Sequence, residues 1–150
     1  MIRLETSKKT GIDNNQDSEI SIYERNWDAD ISRLHPRAKR RTRMSALYNC
    51  HGLTFASRRT KIVDLHGIQN ILTDDSWEEV PLGKILPGDI VLYSSEEGDI
   101  NHSGIVVTCE PPLNLPLVCS KWGNSGEFIH QLSDCPSIYG PTKTFYRCRL

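Results

Sequence analysis

Apolar residues recur at helical intervals in the first half of the chain. In residues 64–75 they fall at i, i+3, i+6 and i+7, on one face of a helix: Leu65, Ile68, Ile71 and Leu72. Asp64 precedes this stripe and is placed to cap the helix start. Residues 50–60 place Leu53 and Phe55 among small residues before a basic end, which predicts a short helix beginning near Cys50.

The second half of the chain has the patterns of β-strands. Pro87-Gly88 forms a turn before a strand that ends at residue 93, and residues 96–99 form the turn to a returning strand. The predicted strands lie at residues 89–93, 102–108, 117–122, 128–130 and 144–148. Helices followed by an antiparallel meander indicate the α+β class.

The N-terminal residues have a different pattern. Residues 5–19 contain one apolar side chain, so we expect a flexible arm over residues 1–19. Apolar residues return irregularly over residues 20–34, which is compatible with a short helix or an extended docking segment. The length of 150 residues suits one core, and residues 20–150 are expected to form a single domain.

Composition narrows the class of protein. A net charge of -1 with 37% hydrophobic and 25% charged residues is ordinary for a globular chain. We find no run of about 20 apolar residues that would span a membrane and no apolar leader segment. The five cysteines form no C-x-x-C pair and are expected to be reduced thiols. We therefore expect a cytoplasmic protein, or one exported by a route that needs no signal peptide.

A basic segment interrupts the near-neutral composition. Residues 35–62 include no Asp or Glu but eight basic side chains: Arg37, Lys39, Arg40, Arg41, Arg43, Arg58, Arg59 and Lys61. Residues 37–43 have no interleaved aromatic side chains for base stacking, so specific nucleic-acid binding is not predicted. We interpret the segment over residues 37–61 as a solvated face or as a patch that attracts an acidic substrate or partner.

Two residues have the spacing of a nucleophile and its base. A cysteine in the first turn of a helix experiences the positive end of the helix dipole, which favours the thiolate. His102 follows Cys50 by about fifty residues and begins a predicted strand, where a general base can meet a helix tip. The alternative for Cys50 alone is a small buried hydrophobic residue.

Three segments resemble the NlpC-type cysteine peptidases and amidases, a superfamily that includes the CHAP amidases. Residues 49–53 (NCHGL) are similar to their Asp-Cys-Ser-Gly-aliphatic motif. Residues 88–93 (GDIVLY) and 102–106 (HSGIV) are similar to their Gly-Asp-hydrophobic and His-Val-Gly-Ile strands. The resemblance covers about residues 46–130. It implies a papain-like core in which Cys50 attacks an amide carbonyl and His102 acts as general base.

The resemblance also implies a polar residue on the next strand that orients the histidine ring. We assign this third catalytic role to Ser120, whose hydroxyl can accept an imidazole N–H. The other polar candidates nearby are Lys121, Asn124, Glu127 and His130. An ammonium cannot accept that bond, so Lys121 is a poor choice. The backbone N–H of Cys50 would supply one oxyanion donor.

The sequence therefore favours a cysteine hydrolase that cleaves a peptide, a peptidoglycan peptide or a side-chain amide, with no cofactor and no metal. A papain-like binding or regulatory module without turnover is the alternative from another class. An acyltransferase that uses the same pair of residues is a third. Clustering of Cys50, His51 and His102 around zinc is a further, weaker alternative, since no close pair of ligands has the spacing of a zinc motif.

Overall fold

The computed structural model describes residues 1–112 and 114–149, and it has the α+β architecture expected from the sequence. The α-helices in these residues are α1 (Ile22–Leu34), α2 (Cys50–Ala56) and α3 (Leu65–Asp74). The strands are β1 (Lys39–Arg40), β2 (Trp77–Val80), β3 (Ile90–Ser94), β4 (Ile100–Glu110), β5 (Leu115–Lys121), β6 (Glu127–Gln131) and β7 (Thr142–Cys148). Short 3₁₀ turns lie at Leu82–Lys84 and Ser137–Tyr139.

Each helix begins at a polar capping residue. The Ser21 hydroxyl accepts from the Glu24 N–H, and the Ser21 N–H donates to the Glu24 carboxylate, which completes a capping box for α1. Asn49 accepts from the Gly52 N–H at the start of α2, and Asp64 caps α3 as predicted. The structure thus selects the helix over the extended alternative for residues 20–34.

The seven strands of the described residues form one antiparallel sheet in the order β1-β6-β5-β4-β3-β7-β2. Tyr93 pairs with His102 across β3 and β4, and Val106 pairs with Val118 across β4 and β5. Because strand side chains alternate between faces, His102 shares a face with these core residues. Ile31 of α1 packs on that same face, in the cluster built around Trp122.

The opposite face of the sheet is covered by α2. Leu53 of α2 and Tyr48 pack there against Cys119 of β5. In turn, α3 packs beside α2, with Ile68 and Ala56 in one buried cluster. The start of α2 lies near the start of β4, since His51 Nδ1 is 2.8 Å from Ser103 Oγ.

The N-terminal segment, expected from the sequence to be a flexible arm, packs against α3 and the loop before it. Ile12 is buried in the cluster with Ile68. The Thr6 hydroxyl donates to Asp74 at 2.6 Å, and the buried Asn14 amide donates to two backbone carbonyls. Hydrogen bonds from polar side chains thus hold a segment that contains few apolar residues.

Most of the basic segment is neutralised within the chain. Five of its eight basic residues form ion pairs, namely Arg37–Asp134, Arg40–Asp28, Arg41–Glu127, Arg58–Glu127 and Lys61–Asp17. The predicted patch for an acidic partner is therefore weaker than the sequence indicates.

None of the helices in the described residues has the length and apolar character to cross a lipid bilayer.

Candidate active site

Cys50 and His102 line the same cavity at the end of the sheet. The cavity has a volume of about 510 Å³ and opens between α1, the start of α2, the start of β4 and the β5–β6 turn. Its lining residues are Glu24, Trp27, Asn49, Cys50, Asn101, His102, Gly123, Asn124, Ser125, Pro136, Ile138 and Tyr139. Residues from both halves of the chain thus meet at the pair that the sequence singled out.

The loop before α3 fixes the position of Cys50. Asn49 Oδ1 accepts from the N–H groups of Gly52 at 2.9 Å and Ile62 at 3.1 Å, and its Nδ2 donates to the Ile62 carbonyl at 2.8 Å. A Cβ atom at Gly52 would lie 1.8 Å from the Thr60 carbonyl oxygen, so only glycine permits this approach. Cys50 is thus held at the first turn of α2 by a cap and a close backbone contact.

The Cys50 thiol is buried between two histidines. Burial by itself raises its pKa, but the charges of His51 and His102 outweigh burial and hold the pKa well below its ordinary value. Two other buried cysteines differ, since burial raises the pKa of Cys119 and of Cys135 to about 11. All five cysteines are free thiols, as predicted. Cys50 is the thiol that this environment favours as a nucleophile.

Aromatic packing orients the His102 ring. It stacks on Tyr139 with 3.6 Å between centroids and an interplanar angle of 3°, and it meets the edge of Tyr93 at 5.3 Å. Both ring nitrogens are buried and make no hydrogen bond to any residue that the structure describes. His102 and the Cys50 thiol are therefore neighbours without a formed hydrogen bond, a looseness that unliganded active sites often show.

Ser120 does not occupy the orienting position predicted for it. Its hydroxyl lies 2.7 Å from His130 Nε2, and it accepts from Trp122 Nε1 at 3.0 Å. His130 Nδ1–H donates to the Gln131 carbonyl, so Nε2 is an acceptor and Ser120 donates to it. Ser120 thus makes no bond to His102, although it shares the face of the sheet. The predicted hydrogen bond is wrong, and the Tyr139 ring constrains His102 instead.

The other candidates for the third catalytic role bond to partners other than His102. Lys121 is fully buried and donates to the carbonyls of Ser45 at 2.7 Å and Gly123 at 2.6 Å, and burial lowers its pKa to about 8. Asn124 reaches the cavity wall, where its amide donates to Glu24.

His130 lies behind Ser120. Burial lowers the pKa of His130 to about 4, so it is neutral at physiological pH. It makes no hydrogen bond to His102.

Glu127 lies on the face covered by α2, away from His102. Its buried carboxylate accepts from Arg41 at 2.7 Å, from Arg58 at 2.6 Å and from the Tyr48 hydroxyl. Burial opposes ionisation, but the bonds from Arg58, Tyr48 and Arg41 prevail and lower the pKa of Glu127 to about 2. This group ties the segment before α2 to the sheet and to the end of α2.

Sequence reasoning missed Tyr139 as a contributor to the site. Tyr139 follows no recognisable motif, and its contact with His102 joins residues 37 positions apart, so no local pattern could reveal it. The sequence brought His51 in only beside Cys50, in the zinc alternative. Its Nδ1 lies 2.8 Å from Ser103 Oγ, on the strand that carries His102.

Comparison of the chain with known protein families, curated proteins and solved structures finds no match. Within residues 1–112 and 114–149, no group of three or more His, Cys, Asp or Glu side chains is arranged to hold a metal ion.

Proposed function

We propose that this protein is a papain-like cysteine hydrolase that cleaves an amide bond through a thioester on Cys50, with His102 as general base. The observation that carries the proposal is that Cys50 and His102 line one cavity while the electrostatic environment favours the thiolate. Helix α2 begins with Cys50 and packs on the antiparallel sheet that carries His102. This arrangement agrees with the resemblance to NlpC-type enzymes.

The reaction needs only these two side chains and water. His102 takes the thiol proton, and the Cys50 sulfur attacks the amide carbonyl to form a C–S bond. The tetrahedral intermediate then breaks its C–N bond, and the His102 imidazolium donates the proton to the leaving amine. His102 next takes a proton from water, which attacks the thioester and releases the acid. The thiolate and the imidazolium are then restored.

The backbone around Cys50 offers an oxyanion donor. Asn49 satisfies the Gly52 N–H, and the Leu53 N–H bonds to the Asn49 carbonyl. The Cys50 N–H has no acceptor among the described residues, so it is available to the developing oxyanion. One such donor contributes about 10²–10³ in rate in characterised hydrolases.

The walls of the cavity favour an amide substrate with an apolar group beside the scissile bond. Trp27 and Ile138 line the cavity and remain 37% and 80% exposed. The volume of about 510 Å³ accommodates a few residues of a peptide rather than a folded domain. Peptides, peptidoglycan peptides and side-chain amides all meet this description.

The test is turnover by purified protein on a panel of amide substrates. Wild type should release an amine from at least one class, and Cys50→Ala and His102→Gln should each abolish release while retaining the fold. Mass spectrometry should detect an acyl group on the Cys50 peptide of wild type. Turnover that persists in Cys50→Ala would contradict the proposal.

One observation favours a second candidate, a binding or regulatory module with the same scaffold. His102 has no hydrogen-bond acceptor among the described residues to stabilise its imidazolium. If this candidate is correct, the Cys50 thiol will react with iodoacetamide no faster than the exposed Cys148 thiol.

An acyltransferase is distinguished by adding a free amine to the reaction. The amine would then capture the acyl group in place of water.

A further inference from the structure

His51 is a buried histidine that the proposed reaction leaves without a task. It follows Cys50 in α2 and is 5% exposed. Its ring contacts Ser103, on the face of the sheet that α2 covers, and it is not among the residues that line the cavity. His51 therefore lies beside the nucleophile but outside the space that a substrate would occupy.

A chain of three hydrogen bonds fixes the His51 ring. Thr54 Oγ1 lies 2.9 Å from the Cys50 carbonyl oxygen, and because a carbonyl only accepts, the Thr54 hydroxyl donates. Thr54 must then accept from the Ser103 hydroxyl at 2.9 Å, and Ser103 accepts from His51 Nδ1–H at 2.8 Å. Nδ1 thus keeps its proton, and Nε2 is the nitrogen that gains or loses one.

Titratable side chains from several elements act on the Cys50 sulfur. His51 comes from α2, His102 from β4, Lys121 from β5 and Tyr139 from the 3₁₀ turn. Glu127 on the same face as His51 is already paired with two arginines. Burial would lower the pKa of His51, but the neighbouring Cys50 thiolate raises it.

We propose that His51 is a positioning residue for the Cys50 thiolate: held by Ser103, its imidazolium places a second positive charge beside the sulfur, while His102 alone performs the proton transfers in the cavity. This inference rests on the proposed function. The thiol proton passes to His102, and the proton on His51 Nε2 comes from solvent. Each imidazole then carries two N–H protons and the sulfur none, so no other reactant is needed.

The test is the pH dependence of Cys50 alkylation by iodoacetamide, followed by peptide mass spectrometry. His51→Gln retains a polar side chain but removes the charge, and it should raise the midpoint pH of alkylation by about one unit. At pH values below the midpoints of both proteins, Cys50 of His51→Gln should then be alkylated about tenfold more slowly than Cys50 of wild type. Ser103→Ala should raise the midpoint by a smaller amount, because it releases the ring without removing it. His66→Gln, on the exposed side of α3, is the matched control and should leave the midpoint unchanged.

The outcomes separate this inference from the proposed function. An unchanged midpoint of Cys50 alkylation in a folded His51→Gln variant would overturn the role of His51. If His102→Gln still raised the midpoint, the proposed pair of Cys50 and His102 would stand. Wild-type Cys50 that reacts with iodoacetamide no faster than Cys148 at any pH would overturn the role of His51 and the proposed function together. If His51→Gln does not fold, Ser103→Ala decides, with an unchanged midpoint again counting against the inference.

Discussion

The buried Glu127 carboxylate should stabilise the fold in a pH-dependent way. Its ordinary pKa of 4.5 is lowered to about 2, which at 1.36 kcal/mol for each pH unit corresponds to about 3 kcal/mol. The two guanidinium groups that pair with it remain 49% and 46% exposed, so solvent screens part of this energy. We expect Glu127→Gln to lower the free energy of unfolding at pH 7 by about 2 kcal/mol.

The sign of the pH effect follows from the lowered pKa. The carboxylate contributes its full stabilisation above the unfolded pKa of about 4.5, and that contribution disappears as the pH falls through the folded pKa of about 2. The difference between wild type and Glu127→Gln should therefore shrink between pH 5 and pH 2. Urea unfolding of both proteins at a series of pH values measures this difference in the free energy of unfolding. The contributions of other titrating groups are the same in both proteins and cancel. A difference that stays constant over this range would refute the reasoning.

Three further substitutions test the architecture of the site. Gly52→Ala should destabilise the protein by about 3 kcal/mol or more, measured by urea unfolding, because its Cβ would collide with the Thr60 carbonyl. Ser120→Ala should cost about 1–3 kcal/mol of stability by leaving His130 Nε2 and Trp122 Nε1 without a hydrogen-bond partner, yet it should leave the alkylation rate of Cys50 unchanged. Tyr139→Leu should lower turnover at least tenfold with little loss of stability, because His102 loses its stacking partner; unchanged turnover would contradict that role.

Local patterns were sufficient where one element determines its own structure. The apolar stripe of α3 and its cap at Asp64 follow from one short stretch of sequence. The meander of β3 and β4 follows from a turn between two apolar runs. Helix α1 was ambiguous because its apolar residues are irregular, and the capping box at Ser21 and Glu24 was the signal that could have decided it.

Features that depend on distant partners were not predictable from one sequence. Ser120 lies on the expected strand, but its hydroxyl bonds to His130 across β5 and β6. The N-terminal segment is polar enough to indicate disorder, yet its side chains bond to Asp74 more than sixty residues away. Such contacts depend on tertiary placement, which composition and periodicity do not encode.

The most direct test of the central claim compares the reactivity of Cys50 with that of Cys148, an exposed thiol far along the chain. A brief exposure to iodoacetamide at about pH 6, followed by peptide mass spectrometry, measures both rates in one sample. The account predicts that Cys50 is modified at least tenfold faster, and that His102→Gln removes most of this advantage. Equal labelling of Cys50 and Cys148 would contradict an activated thiol in this cavity.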